Sequence, residues 1–373
     1  MPRIRVLFLI DELAVTGGAE VFALGLATHL PAERFDRWLC STRLADPGLH
    51  STLVEAGVKH VHLDRRTKWD VHRFAPLPGL LRREKIDILH AHKFGSNVWG
   101  TLIGRAARVP IVLAHEQTWS YEGDPVRRLL DGQLIARLAT RFIAVSSHDA
   151  ERMSSVEGVP PEKIVTIPNA YVPRAETPDA DLRAELGLES STPLIGVVAI
   201  LRPQKALSVL LKAHARVLDT VPDTHVAIAG DGECRRDLER LCGELGTADR
   251  VHFLGLRHDI DSILRSIDVA VISSDYEGTP LVAFECMANR TPLIATAVGG
   301  LPDIIDDGET GILVPPQDPA ALADALSDLL SHPERRRRLA EGSATRLGEF
   351  TIDAIASRFA ELYENLMEER GRR

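Results

Sequence analysis

The sequence predicts an α/β fold of two doubly wound, Rossmann-like domains, each a parallel sheet wrapped by helices. Short apolar runs of strand length alternate with longer stretches of helical period, the pattern of strands joined by crossover helices. The alternation breaks once, at 171–192, where Pro173, Pro178 and Pro193 bracket a polar stretch that reads as an interdomain link. A chain of 373 residues also exceeds one ordinary core and favours two domains of roughly 170–190 residues.

In the first domain, 1–170, the strand candidates are 5–10, 38–42, 58–63, 86–90, 111–114, 141–145 and 164–167. Helical period appears between them, for example at 19–30, 97–105 and 126–138. The link carries one short helix, 180–186. The second domain, 193–350, repeats the alternation, with strands at 194–200, 225–230, 251–254, 269–273, 292–295 and 311–314. Its helices fall at 206–219, 234–245, 260–265, 280–288 and 319–330. The last segment of helical period, 352–367 within 351–373, follows all the strands and is expected to cross back to the first domain.

Composition narrows the function. The chain is 45% hydrophobic and 26% charged with a net charge of −9, which argues against a general nucleic-acid binder. Residues 1–170 carry 22 Lys and Arg against 19 Asp and Glu, whereas 171–373 carry 22 against 34. Basic clusters at Arg65, Arg66 and Lys68, at Arg82, Arg83 and Lys85, and at Arg127 and Arg128 are read first as solvated faces. They also admit peripheral contact of the N-terminal domain with an anionic membrane face. The four cysteines form no C-x-x-C pair, and no run approaches the roughly 18–20 apolar residues of a membrane span. A cytoplasmic protein, peripheral to the membrane at most, is expected.

The chemistry concentrates at Ser273-Ser274-Asp275-Tyr276-Glu277-Gly278-Thr279-Pro280-Leu281-Val282-Ala283-Phe284-Glu285. A strand ends there and a helix begins, with Thr279 expected as N-cap and Pro280 as the first helical residue. The amides of Leu281 and Val282 then lack helical partners and, at the positive end of the helix, suit a phosphate. Gly278 lets the backbone approach a ligand. Glu277 and Glu285 lie about 10 Å apart at the helical rise, wide for the paired carboxylates of a glycoside hydrolase. They fit better as grips on two parts of one long ligand, since a carboxylate can hold vicinal ribose hydroxyls.

The E-G-x-P-L-V-x-x-E pattern from Glu277 to Glu285 resembles the signature of the retaining glycosyltransferases of family 4, which have the GT-B fold. Gly17-Gly18-Ala19-Glu20, Ile143-Ala144-Val145-Ser146, Ile167-Pro168-Asn169, Gly230-Asp231-Gly232 and Val298-Gly299-Gly300-Leu301-Pro302 resemble its other turns in the same order. The resemblance implies two Rossmann-like domains facing each other across a cleft, acting on a nucleotide-sugar donor, UDP- or GDP-linked. It gives Glu285 the ribose, Glu277 the sugar, and the backbone of Gly278, Thr279, Pro280, Leu281 and Val282 the diphosphate and sugar. Lys205 matches the family's diphosphate lysine; Ile200 stands where the arginine is usual, and Arg202 is the nearby substitute. His115 matches the histidine that approaches the donor sugar, and Gly17 and Gly18 form the sugar- and acceptor-side turn. His90, His92 and Asn169 read as structural, and Asn97 as a helix cap or an acceptor contact.

Lys205, Arg202 and the helix amides can stabilise a departing diphosphate without a metal. No D-x-D follows an apolar strand, since Asp179-Ala180-Asp181 lies in the link. The expectation is a metal-independent, cofactor-free, retaining transfer to a hydroxyl of a glycan, lipid or small molecule. Two other classes stay open, a nucleotide-sugar epimerase or hydrolase and a non-catalytic nucleotide-sugar-binding protein.

Overall fold

A computed structural model describes residues 3–14, 17–67, 70–117, 124–174 and 181–371. Lys68 of one basic cluster, Pro178, Asp179 of the Asp179-Ala180-Asp181 stretch, and Ala180 at the start of the expected link helix lie outside them. The chain divides into two compact units, Met1–Val172 with Glu349–Arg373, and Pro173–Gly348.

The first unit is built on a seven-stranded parallel sheet. Its strands are β1 (Ile4–Leu13), β2 (Phe35–Ala45), β3 (Lys59–His62), β4 (Ile88–His92), β5 (Ile111–His115), β6 (Arg141–Ala144) and β7 (Ile164–Thr166), in the order β3-β2-β1-β4-β5-β6-β7. Val6 to Ile10 is fully buried on both faces, as expected where helices cover the two sides of a parallel sheet. The second unit holds β8 (Leu194–Val198), β9 (His225–Ala229), β10 (Val251–Gly255), β11 (Val269–Ile272), β12 (Leu293–Thr296) and β13 (Ile312–Val314), in the order β10-β9-β8-β11-β12-β13. Every expected strand is present, with shifted ends. The largest change is in β2, which extends three residues beyond the expected 38–42 at each end, and β1 passes a register shift between Ile10 and Glu12 and continues to Leu13.

Both strand orders reverse once, between β1 and β4 and between β8 and β11. Ligands of open α/β sheets bind beyond the carboxyl ends of the strands at such reversals. The segments following β1, β4, β8 and β11 are therefore where chemistry is expected within each unit.

The helix Ile352–Gly371 completes the first unit. Ile355, Phe359 and Tyr363 repeat at helical spacing and join the core around Phe8, Phe22 and Phe35. Each such side chain contributes roughly 1.5–3 kcal/mol through burial. Arg34 Nε donates to Glu364 Oε1 at 2.8 Å at the rim of this contact.

Three helical expectations change. The stretch 126–138 is helical but not uniformly so, because Pro125–Leu129 runs into a π-helical segment, Leu130–Ile135, before Ala136–Leu138. Helices Leu301–Ile304 and Pro333–Arg346 were not anticipated. The second carries Arg335 to Arg338 and buries only Leu339, Ala340 and Ser343, too narrow a stripe to show in the sequence. Among the described residues no helix is long and apolar enough to cross a membrane.

Candidate functional site

Within the second unit the segments after β8 and β11 are stitched into one site. Asp275 N donates to Gln204 O at 2.8 Å, Tyr276 Oη to Gln204 Oε1 at 2.9 Å, and Ser273 Oγ to Lys205 O at 2.9 Å. These bonds bring Lys205 Nζ to 2.5 Å from Glu277 Oε1, which also accepts from Ser274 Oγ at 2.6 Å. Glu277 is 8% exposed, so its charge is compensated by this lysine rather than by solvent. Arg202 is exposed on the same loop. Burial and Glu277 raise the Tyr276 phenol above its ordinary range, and the Arg202 charge opposes them. Ile200 is 46% exposed, an apolar side chain left in solvent where the family resemblance led one to expect an arginine.

The helix after Glu277 begins one residue later than expected. Its range is Leu281–Ala288, and the N-cap is Pro280, extended at φ −71° and ψ 128°, with no side-chain cap. Thr279 is thus not the cap; it precedes a proline, a position biased away from helical backbone, and it is buried. Leu281 and Val282 remain the first helical amides, and the first bond of the turn runs from Ala283 N to Pro280 O at 3.1 Å. The phosphate-type site expected here keeps its donors. Gly278 O accepts from Gly300 N at 2.8 Å, and Gly299 sits at φ +55°, where a Cβ would lie 1.7 Å from Glu277 O. The second-domain glycine turn is therefore a backbone support for the Glu277 loop. Gly230 serves the Lys205 loop in the same way, at φ +139° with a notional Cβ 1.9 Å from Ala199 O.

Glu285 is buried and ion-paired with Arg174, whose Nη2 and Nε lie 2.5 and 2.9 Å from Oε1. Both bonds fall on one oxygen, leaving Oε2 without a hydrogen bond among the described residues. Sequence reasoning missed Arg174, a single arginine in a polar stretch with no periodic or motif signal.

In the first unit His115 ends β5 and is fully buried. Asn97 holds its backbone from both sides, with Nδ2 donating to His115 O and Oδ1 accepting from His115 N, each at 3.1 Å. Asn97 therefore lies inside the helix Phe94–Ala106 as a brace for His115, rather than as its cap. His90, His92 and His115 form a cluster of facing rings, His90 and His115 stacked at 5.2 Å with 8° between planes. Their nearest ligating atoms all lie within 4.8 Å of one another. Burial holds all three imidazoles below their ordinary range, His92 at about 3, and neighbouring rings add to the effect on His90 and His115. The adjoining Glu116 is pushed up to about 7 by burial, against the pull of Arg127, whose Nη2 lies 3.2 Å from Oε2. Its burial, and so its altered acidity, had no signature in the sequence.

Gly17 is the N-cap of the helix Gly18–His29. Glu20, in its first turn, is buried and 2.6 Å from Lys93 Nζ after β4. Nearby, Asp11 accepts from Thr42 Oγ1 at 2.7 Å and lies 3.7 Å from the buried Arg65. The reversal between β1 and β4 is thus a cluster of paired charges. Two of the basic clusters give up a member to the interior. Arg65 is 4% exposed over the Phe74 ring, and Arg127 lies over Phe94 beside Glu116. This placement does not support a continuous basic surface for a membrane.

Two family models match the chain, Glycosyltransferase Family 4 over residues 16–173 and Glycosyl transferases group 1 over residues 179–346. The chain is 31% identical over 309 residues to the alpha-D-kanosaminyltransferase of Streptomyces kanamyceticus, covering 77% of this chain and 79% of that protein. It is 32% identical over 381 residues to the D-inositol 3-phosphate glycosyltransferase of Nocardia farcinica, covering 94% and 82%. Among solved structures, Anabaena Alr3699/HepE in complex with UDP-glucose superposes with a TM-score of 0.82 at 22% identity, over 97% of this chain and 100% of that one. Sucrose-phosphate synthase from Thermosynechococcus elongatus gives 0.79 at 24%, over 98% and 100%; these likenesses concern the fold. On its relatives and its two matched halves, the chain belongs to glycosyltransferase family 4, with the two Rossmann-like units of the GT-B fold.

Proposed function

We propose that this glycosyltransferase moves a hexosyl unit from a UDP- or GDP-sugar to a hydroxyl of a glycan, a lipid-linked sugar or a small molecule, with retention of configuration and without a metal. The observation that carries the proposal is the Lys205–Glu277 pair at 2.5 Å beside the first amides of the helix Leu281–Ala288. A cation and unpaired helix amides suit a diphosphate, and the neighbouring carboxylate suits sugar hydroxyls. The relatives are sugar transferases, and one neighbour of like fold is a complex with UDP-glucose. Four cysteines without a disulfide favour a reducing, cytoplasmic setting.

On this reading Glu285 holds the ribose, and Lys205, Arg202 and the backbone of Gly278 to Val282 hold the diphosphate. Glu277 contacts the sugar. His115 and the Gly17-Gly18 turn of the first unit serve the sugar and acceptor. Negative charge grows on the diphosphate as the anomeric bond breaks, and fixed cations and helix amides stabilise it without reorganising. The acceptor hydroxyl attacks from the same face and passes its proton to the leaving diphosphate.

Proton NMR of the product anomer, with donor, acceptor and excess EDTA, tests the reaction. The expected result is retained configuration at a rate within about twofold of the EDTA-free rate, on the scale where tenfold is 1.36 kcal/mol. An inverted product, or activity lost to EDTA and restored by Mn²⁺, overturns the respective claim. Glu285→Ala is expected to weaken donor binding about 10- to 100-fold, the worth of charged hydrogen bonds at about 1.5–3 kcal/mol. Isothermal titration with UDP- and GDP-sugars measures it, and an unchanged Kd rejects the ribose role.

A further inference from the structure

Asp11 stands near the carboxyl end of β1, beside the strand-order reversal between β1 and β4. Ile10 pairs with Ser41 but Glu12 with Leu44, so Asp11 alone faces both Thr42 and Arg43 of β2. A bulge of this kind re-aims a side chain, and bulges recur beside active sites. The carboxylate is then held by one oxygen. Oδ1 accepts from Thr42 Oγ1 at 2.7 Å and from Ser96 Oγ at 3.3 Å, and Arg65 Nη1 lies 3.7 Å from it. Oδ2 takes no hydrogen bond from the described residues.

Gly95 makes room for that second oxygen. A Cβ on Gly95, in the first turn of the helix Phe94–Ala106, would stand 2.7 Å from Asp11 Oδ2. Any side chain there would push the carboxylate aside. The Asp11 side chain keeps 23% exposure, so a ligand can reach it, whereas Arg65 beside it is closed off. An ionised carboxylate only accepts hydrogen bonds, and an oxygen anchored through its twin loses little freedom when it accepts one.

The charge around Asp11 selects the donor it takes. Asp11 with Arg65, Glu20 with Lys93 at 2.6 Å, and Glu12 with Arg43 at 3.8 Å set three acids against three cations. Among the described residues this balance leaves no surplus for a phosphate or an ammonium to neutralise. A neutral hydroxyl fits such a site. We infer that Asp11 is a specificity-determining residue of the acceptor site, its Oδ2 accepting a hydrogen bond from a hydroxyl of a neutral, polyhydroxylated acceptor ring. The inference rests on the transfer proposed above and adds to it a residue and the chemistry of the acceptor.

Saturation-transfer NMR on the full chain, in the presence of UDP or GDP, tests it. Methyl α-D-glucoside and myo-inositol serve as neutral probes, glucose 6-phosphate and glucosamine as charged ones. The wild type should pass saturation to a neutral polyol at least as strongly as to either charged probe. No neutral signal, or a stronger charged one, overturns the class of acceptor. Asp11→Ala should weaken polyol binding about tenfold or more, as expected for losing a hydrogen bond to a charged group, with the nucleoside diphosphate Kd within about twofold of wild type. Unchanged polyol binding overturns the role of Asp11, whereas a wild type that binds neither UDP nor GDP overturns the donor reading instead. Thr42, Ser96 and Arg65 also lose a partner in Asp11→Ala, so Gly95→Ala is the second variant. It keeps the carboxylate, favours the helix and displaces only Oδ2. It should lose polyol binding with its melting temperature unchanged or raised. A lower melting temperature in Asp11→Ala, with polyol binding intact in both variants, marks a purely structural carboxylate and overturns the inference.

Discussion

Replacing Lys205 with alanine is expected to lower kcat/KM by about 10²–10³, a loss of about 2.7–4 kcal/mol in transition-state stabilisation of the size seen when one preorganised charge-stabilising donor is removed. Two effects combine. The departing diphosphate loses a cation, and Glu277, 8% exposed, keeps only Ser274 Oγ against its charge among the described residues. Lys205→Ala paired with Glu277→Gln separates them, since the double variant carries no stranded carboxylate. If the loss belongs to the diphosphate, the double variant should bind the free nucleoside diphosphate, which lacks the sugar that Glu277 contacts, as weakly as the single one while regaining its thermal stability. Full activity of Lys205→Ala in a steady-state assay with saturating acceptor refutes the assignment.

Acidification is expected to unfold the first unit well before ordinary carboxylate chemistry would require it. His90, His92 and His115 are held below their usual range near 6.5 by burial, His92 at about 3. A group depressed in the native state binds its proton more tightly once unfolded. Its contribution is therefore complete above about pH 6.5 and is lost as pH falls toward the native value. For His92 alone that amounts to about 3 kcal/mol by pH 4.5 and about 4 kcal/mol by pH 3. The other two rings act in the same direction, and the three titrate as a coupled set. All four tryptophans lie in the first unit, at Trp38, Trp69, Trp99 and Trp119, so tryptophan fluorescence in urea isolates it. A midpoint that stays level from pH 7.5 to 4.5 contradicts the expectation; His92→Gln should flatten the curve.

The sheet was legible because buried parallel strands are continuous apolar runs, and thirteen of them could be placed within a few residues. Signals failed where burial, not periodicity, decides the outcome. Pro333–Arg346 hides behind a run of arginines, and Arg65 and Arg127 look like surface charges until Phe74, Asp11 and Glu116 are brought beside them. The motif was readable from Glu277 to Glu285, since a carboxylate, a glycine and a helix start fall close together in the chain. Its cap was misplaced by one residue because Pro280 takes the extended ψ that Thr279 was expected to hold. The Arg174–Glu285 and Tyr363–His90 bonds join residues 111 and 273 positions apart, and no local pattern can announce such pairings.

Arg174 on Glu285 and Lys205 on Glu277 give both acids of the motif protein counterions. On the proposed reading a nucleotide sugar enters by exchange, displacing or sharing each counterion instead of adding a fresh contact. The net gain per contact is the difference between two charged pairings, which is smaller than either. Spent nucleoside diphosphate then faces a resident competitor at Glu285 and at Lys205, so the device that moderates affinity also speeds product release.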